Sequence, residues 1–124
     1  LEKYLSNLKQ QLFFHEREIW FCHIGLNVGF EQDGRGVDFL RPVLIIKKFN
    51  NQIFWAVSLT KAIKQRRANS DKYYYKFCFI DGIQSTAILS QLKLIDNNRL
   101  TRQIGVMPKS EFIQLNKKLK ALLP

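Results

Sequence analysis

Acidic residues are scarce in this chain. Ten aspartates and glutamates face twenty lysines and arginines over 124 residues, leaving a formal charge of +10. Such a balance disfavours cationic partners and points to polyanions, with nucleic acid or an acidic protein first among them. Cysteine is rarer still: Cys22 and Cys78 stand far apart in apolar, strand-like segments. No CxxC or Cys/His spacing accompanies them, so neither a disulfide framework nor a zinc site has support, and both are expected to be buried, reduced thiols. Apolar runs such as Pro42 to Ile46 are strand-sized, well short of a membrane span. The first residues lack a signal peptide's layout, and the expectation is a soluble cytoplasmic protein without a membrane partner. The sequence also lacks GxGxxG, a P-loop, HExxH and GxSxG, which leaves nucleotide-driven and zinc-hydrolase chemistry without positive support.

The length suits one domain. Leu1, Leu5, Leu8 and Leu12 recur at helical spacing and predict an amphipathic N-terminal helix, which with its linker occupies residues 1–16. Glu18 to Ile24, Pro42 to Phe49, Gln52 to Leu59, Tyr73 to Ile80 and Ser85 to Lys93 read as strands, rich in β-branched and aromatic residues. Asn50-Asn51 and Asp81-Gly82 mark turns, and Asp96 to Leu100 a further turn or single helical coil. Gly25 to Phe39, punctuated by glycines and charges, predicts a long exposed loop of the kind that often carries function. Phe112, Leu115, Leu119 and Leu122 define an amphipathic helix over Lys109 to Leu122, with Pro108 at its start. The fold class expected is mainly β with a helix at each end: a small twisted SH3-like barrel over residues 17–124.

Few residues announce chemistry by themselves. His15 and His23 could form an acid/base pair only if the fold brought them together, and His23 alternates within an apolar strand as structural histidines do. Arg41 opens a strand and is followed by Pro42, a placement that can present its planar guanidinium to a phosphate. Thr60 ends the next strand, and a hairpin at Asn50-Asn51 would set both near one end of the sheet, a guanidinium beside a hydroxyl. By spacing alone, an ordinary surface edge arginine is the better account of Arg41, and Thr60 reads equally as a β-favouring threonine with no role. The basic stretch Lys61 to Lys76 includes Lys61, Lys64, Arg66 and Arg67 and follows Thr60 directly, as a phosphate-tracking flap would.

The order of several segments is more specific. Glu18-Ile19-Trp20, then Asn27 to Gln32, then Arg41-Pro42-Val43-Leu44-Ile45-Ile46 resemble the opening of the PemK/MazF toxins. Ala56 to Thr60 is similar to that family's strand ending in threonine. Ser85 to Gln91, Lys93 to Asp96 and Arg99-Leu100 resemble its later segment, and Ile104-Gly105 with the final helix fits its ending.

The resemblance implies an SH3-like barrel that forms a homodimer and is held in check by an acidic antitoxin. It implies an endoribonuclease that cleaves single-stranded RNA without metal or cofactor, leaving 2′,3′-cyclic phosphate and 5′-hydroxyl ends. By position, Arg41 matches the catalytic arginine, Thr60 the catalytic threonine, and Glu31 a loop glutamate that serves as base or as organiser of Arg41. Gln32, Ser85 and Gln91 match positions that contact bases or backbone, and Phe30, where relatives carry histidine or serine, offers a stacking surface. Asp33 to Phe39 lengthens the loop before Arg41, and Ile88 and Ser90 replace an acid/base pair of one branch of the family. A non-catalytic SH3-like module that binds RNA or a protein tail is the alternative reading, because small barrels host many functions.

Overall fold

A computed structural model of the chain describes residues 13–23, 40–61, 72–80 and 83–123. The N-terminal helix that with its linker was expected to occupy residues 1–16, the loop from Gly25 to Phe39, the turn at Asp81-Gly82 and the basic stretch from 62 to 71 lie wholly or largely outside the described residues. Within them run β1 (Glu18–His23), β2 (Leu40–Lys48), β3 (Ile53–Lys61), β4 (Tyr74–Ile80), β5 (Ile83–Asp96), β6 (Leu100–Val106) and the helix α1 (Lys109–Leu122). The strands form one antiparallel sheet in the order β4-β5-β3-β2-β1-β6.

Alternation along the central strands buries both faces. Ile19, Leu44, Ile46, Val57, Leu59, Ala87 and Leu89 face one way and pack with Leu115 and Leu119 of α1. Trp20, Cys22, Val43, Ile45, Phe54 and Ala56 face the other way and pack with Phe14, Ile95 and Leu100. Each large aliphatic or aromatic side chain so buried contributes about 1.5–3 kcal/mol of transfer free energy. That two-sided burial is why β2 reads as an unbroken apolar run.

Asn50 fixes the β2–β3 hairpin: its side-chain oxygen accepts from the backbone N–H of Gln52 (2.7 Å) and of Ile53 (3.0 Å). The backbone N–H of Asn97, in the 3-10 turn Asn97–Arg99 after β5, donates to Gln52 O at 2.7 Å, while its side-chain amide donates to Asn51 O at 2.8 Å. One end of the sheet is thereby tied together.

Leu89, Ser90 and Gln91 have no partner on β3, because Ser58 pairs with Ile88 and Val57 with Leu92. This irregularity lets the 14-residue β5 twist between β3 and β4. The outer strands β4 and β6 share no hydrogen-bonded ladder among the described residues, so the sheet does not close into a barrel by backbone bonds. They approach through side chains instead: a Cβ at Gly105 would lie 2.4 Å from Cδ2 of Phe79.

Besides the expected barrel, which backbone bonds do not close among the described residues, the structure departs from the sequence-based expectations at two points. Cys78 is exposed, because in β4 the residues Tyr75, Phe77 and Phe79 take the inward positions and Cys78 alternates outward with Lys76. The strand β6 was not expected at all. Thr101, Arg102 and Gln103 are exposed and carry no apolar alternation, yet Arg102 and Gln103 pair with Phe21 and Trp20 along the free edge of β1, and Thr101 sits at an irregularity between pairs.

Candidate nucleic-acid interface

Register places the two candidates of the sheet end. Val43 pairs with Ser58 and Leu44 with Val57, and continuing that register two residues sets Arg41 opposite Thr60. Directly opposed residues of an antiparallel pair share a face, with Cβ atoms about 4.5–5.5 Å apart. On β1, Arg41 is paired with Cys22, and on β5, Thr60 is paired with Thr86, which is paired in turn with Lys76 of β4. One transverse row therefore runs Cys22, Arg41, Thr60, Thr86, Lys76.

Polarity changes along this row. Cys22 is buried in the second apolar cluster, Arg41 is exposed, Thr60 is half-buried, Thr86 is fully buried and Lys76 is exposed. Burial pushes the Cys22 thiol up to about 11, against the opposing fields of Arg99 and Lys93. A thiol held protonated in this way is no nucleophile near neutral pH. What the row offers is hydroxyls between two cations, a setting for an anionic oxygen. Thr86 had no part in the sequence-based site. Its Oγ1 is buried with no hydrogen-bond partner among the described residues. Only the pairing of β3 with β5 brings it beside Thr60, so the one available signal was a polar residue at an inward position of a buried strand.

Other candidates fall elsewhere. Lys61 pairs with Ser85 one residue further on, on the face opposite the row, where Lys61 is exposed and Ser85 nearly buried. Gln91 is exposed and lies within the irregular part of β5, away from the row. Phe30, Glu31, Gln32, Lys64, Arg66 and Arg67 lie outside the described residues. The two histidines are not brought together. His15 precedes β1, where its Nδ1 lies 3.2 Å from Glu18 Oε2, while His23 ends β1 beside Leu40. Among the described residues no group of His, Cys, Asp and Glu is arranged to hold a metal, and no helix is long and apolar enough to cross a membrane.

The model of the PemK-like, MazF-like toxins of type II toxin–antitoxin systems matches residues 15–123, nearly the whole chain. The chain belongs to this toxin family. Sequence comparison with curated proteins finds no match. Among solved structures, MazF from Deinococcus radiodurans superposes with a TM-score of 0.66 at 15% identity, covering 90% of this chain and 97% of that one. The Mycobacterium tuberculosis toxin MazF-mt6 gives 0.61 at 16% identity, over 85% and 94%. An endoribonuclease in complex with its cognate antitoxin, from a mycobacterial species, gives 0.61 at 16% identity, over 88% and 95%. At these identities the likeness to solved structures is one of fold.

Part of the segment that resembles the family's opening is structural in this chain. Glu18 of the Glu18-Ile19-Trp20 segment accepts from the Trp20 indole N–H at 2.9 Å and from the His15 backbone N–H at 2.9 Å. Arg17, at a φ of 78°, donates its backbone N–H to Ile45 O at 2.9 Å and its Nε–H to Met107 O at 3.1 Å. These bonds lock the start of β1 between β2 and the end of β6.

Proposed function

We propose that this chain is the RNA-cleaving toxin of a type II toxin–antitoxin pair, acting on single-stranded RNA by attack of the substrate's own 2′-hydroxyl. The observation that carries this reading is the shared row and face of Arg41 and Thr60 at one sheet end. The 2′-oxygen forms a bond to the adjacent phosphorus as its proton passes to a base, a part that suits Glu31. The bond from phosphorus to the 5′-oxygen then breaks, and the departing oxygen takes up a proton. A 2′,3′-cyclic phosphate and a 5′-hydroxyl result. Because the nucleophile is internal, the enzyme has only to align the backbone and stabilise the extra negative charge at phosphorus. Arg41 suits the second task with its permanent charge and forked donors. Thr60 suits holding a non-bridging oxygen.

Phe30, Gln32, Lys61, Lys64, Arg66, Arg67, Ser85 and Gln91 complete the proposed RNA groove. Lys61 and Ser85 would line it from the other face of the same sheet end. The curled six-stranded sheet supports the SH3-like reading, with the N-terminal helix as an addition to it. A homodimer in the cytoplasm, neutralised by an acidic antitoxin, fits the excess of basic charge.

The test is incubation of the purified protein with long single-stranded RNA in excess EDTA, beside Arg41→Ala. Discrete fragments ending in cyclic phosphate, lost by at least 100-fold (on the order of 3 kcal/mol of transition-state stabilisation) in the variant, are expected. Intact RNA across several substrates with the wild type would replace this reading with a non-catalytic RNA- or protein-binding module.

A further inference from the structure

We infer that Thr86 is a positioning residue for Thr60: its buried hydroxyl donates to Thr60 Oγ1 when Thr60 donates to a phosphate oxygen of bound RNA. The inference rests on the ribonuclease reading above and extends the site by one strand. Thr86 is fully buried, on the same face as Thr60 and directly opposite it across β3 and β5. Its Oγ1 has no partner among the described residues. A valine would fill the same volume without a desolvated hydroxyl, so a hydroxyl kept there without a partner among the described residues carries a desolvation cost. Directly opposed threonines can hydrogen-bond across an antiparallel pair, since their Cβ atoms are about 4.5–5.5 Å apart and a χ1 rotation brings the oxygens within reach.

The donor and acceptor inventory sets the direction of the relay. Thr60 has one proton and two lone pairs. Once that proton is directed to a phosphate oxygen, a lone pair of Thr60 faces its neighbours, and the Thr86 proton beside it is the donor without a partner among the described residues. Two aligned hydroxyls polarise one another, which strengthens the bond to the anion. Lys76, exposed on the other side of Thr86, adds positive potential at the same point of the row. The relay thus ends in a buried donor, and its strength depends on the ligand's negative charge.

The experiment compares steady-state cleavage of a single-stranded RNA by wild type, Thr60→Val, Thr86→Val, Thr86→Ser and the double variant Thr60→Val/Thr86→Val, with thermal unfolding of each. Thr86→Val is expected to keep or raise Tm while kcat/KM falls by up to about tenfold, the upper size of one neutral hydrogen bond. Thr86→Ser should restore most of the loss, and the double variant should be no slower than Thr60→Val alone. Wild-type rates in Thr86→Val beside an impaired Thr60→Val would overturn the relay and leave the ribonuclease reading standing. A loss in Thr86→Val that comes with a lower Tm and is not restored by serine assigns Thr86 to packing and overturns it too. Full activity in Thr60→Val overturns both the role of Thr60 and the relay.

Discussion

Gly105 stands where β6 passes the ring of Phe79, and an added Cβ would lie 2.4 Å from Cδ2 and 2.9 Å from Cε2. Since β4 and β6 share no backbone ladder, this side-chain contact is where the two outer strands meet. Gly105→Ala must push the ring outward, at a cost of about 1–3 kcal/mol typical of overpacking. A lower urea midpoint with an unchanged slope would register it. The thiols give a second check at this scale. Cys78 is exposed, whereas Cys22 is buried and its thiol pushed up to about 11. One fast-reacting thiol in the native protein and two after unfolding are therefore expected with a maleimide probe. That Arg41 and Thr60 share one sheet end was legible in the sequence, because their strands flank one short hairpin; their proposed roles came from the family resemblance and not from spacing. The place of Thr86 in their row was not legible, since it depends on a pairing between strands separated by the whole of β4 and the segments around it. Cys78 was misjudged because an apolar run does not reveal which residues alternate outward at a sheet edge.

The helix α1 was fully legible, its bounds and its buried Leu115 and Leu119 following from apolar periodicity. By contrast, β6 is held by what it pairs with and has no periodicity of its own to read. Docking of α1 onto β4 rests partly on polar contacts: the Tyr75 hydroxyl donates to Glu111 Oε1, and Lys118 Nζ donates to Tyr74 O at 2.6 Å. Burial, then the hydrogen bond to Glu111 and its charge, push the Tyr75 hydroxyl from 10.0 up to about 12. Because the folded value is raised, the stabilisation is present in full below the unfolded value and is lost as pH climbs through the folded one. Stability should therefore decline between pH about 10 and about 12, beyond what general charge repulsion causes. Tyr75→Phe removes that component, so chemical denaturation across this range should show a flatter pH dependence for the variant. Leu115→Ala, by contrast, cuts into the first apolar cluster and should cost about 2–5 kcal/mol at any pH.

Charge acts on the molecule as a whole. The formal charge of +10 far exceeds what a row of two cations and two hydroxyls requires, so on the ribonuclease reading most of it is left for encounter and retention of RNA. Lys64, Arg66 and Arg67 follow the strand that carries Thr60, in the segment most concentrated in basic residues. If they track phosphates, each contributes its released counterion to binding, about 0.7 in the slope of log affinity against log salt for a single strand. Replacing all three with alanine should then lower that slope by about 2 while the fragment pattern stays the same. Arg41→Ala should do the reverse, removing cleavage while the slope changes by less than about 1. The two variants separate charge that gathers RNA from charge that acts at one phosphorus. Equal slopes for wild type and the triple variant would take the basic segment out of the RNA path and leave an acidic protein partner as the ligand to test on it.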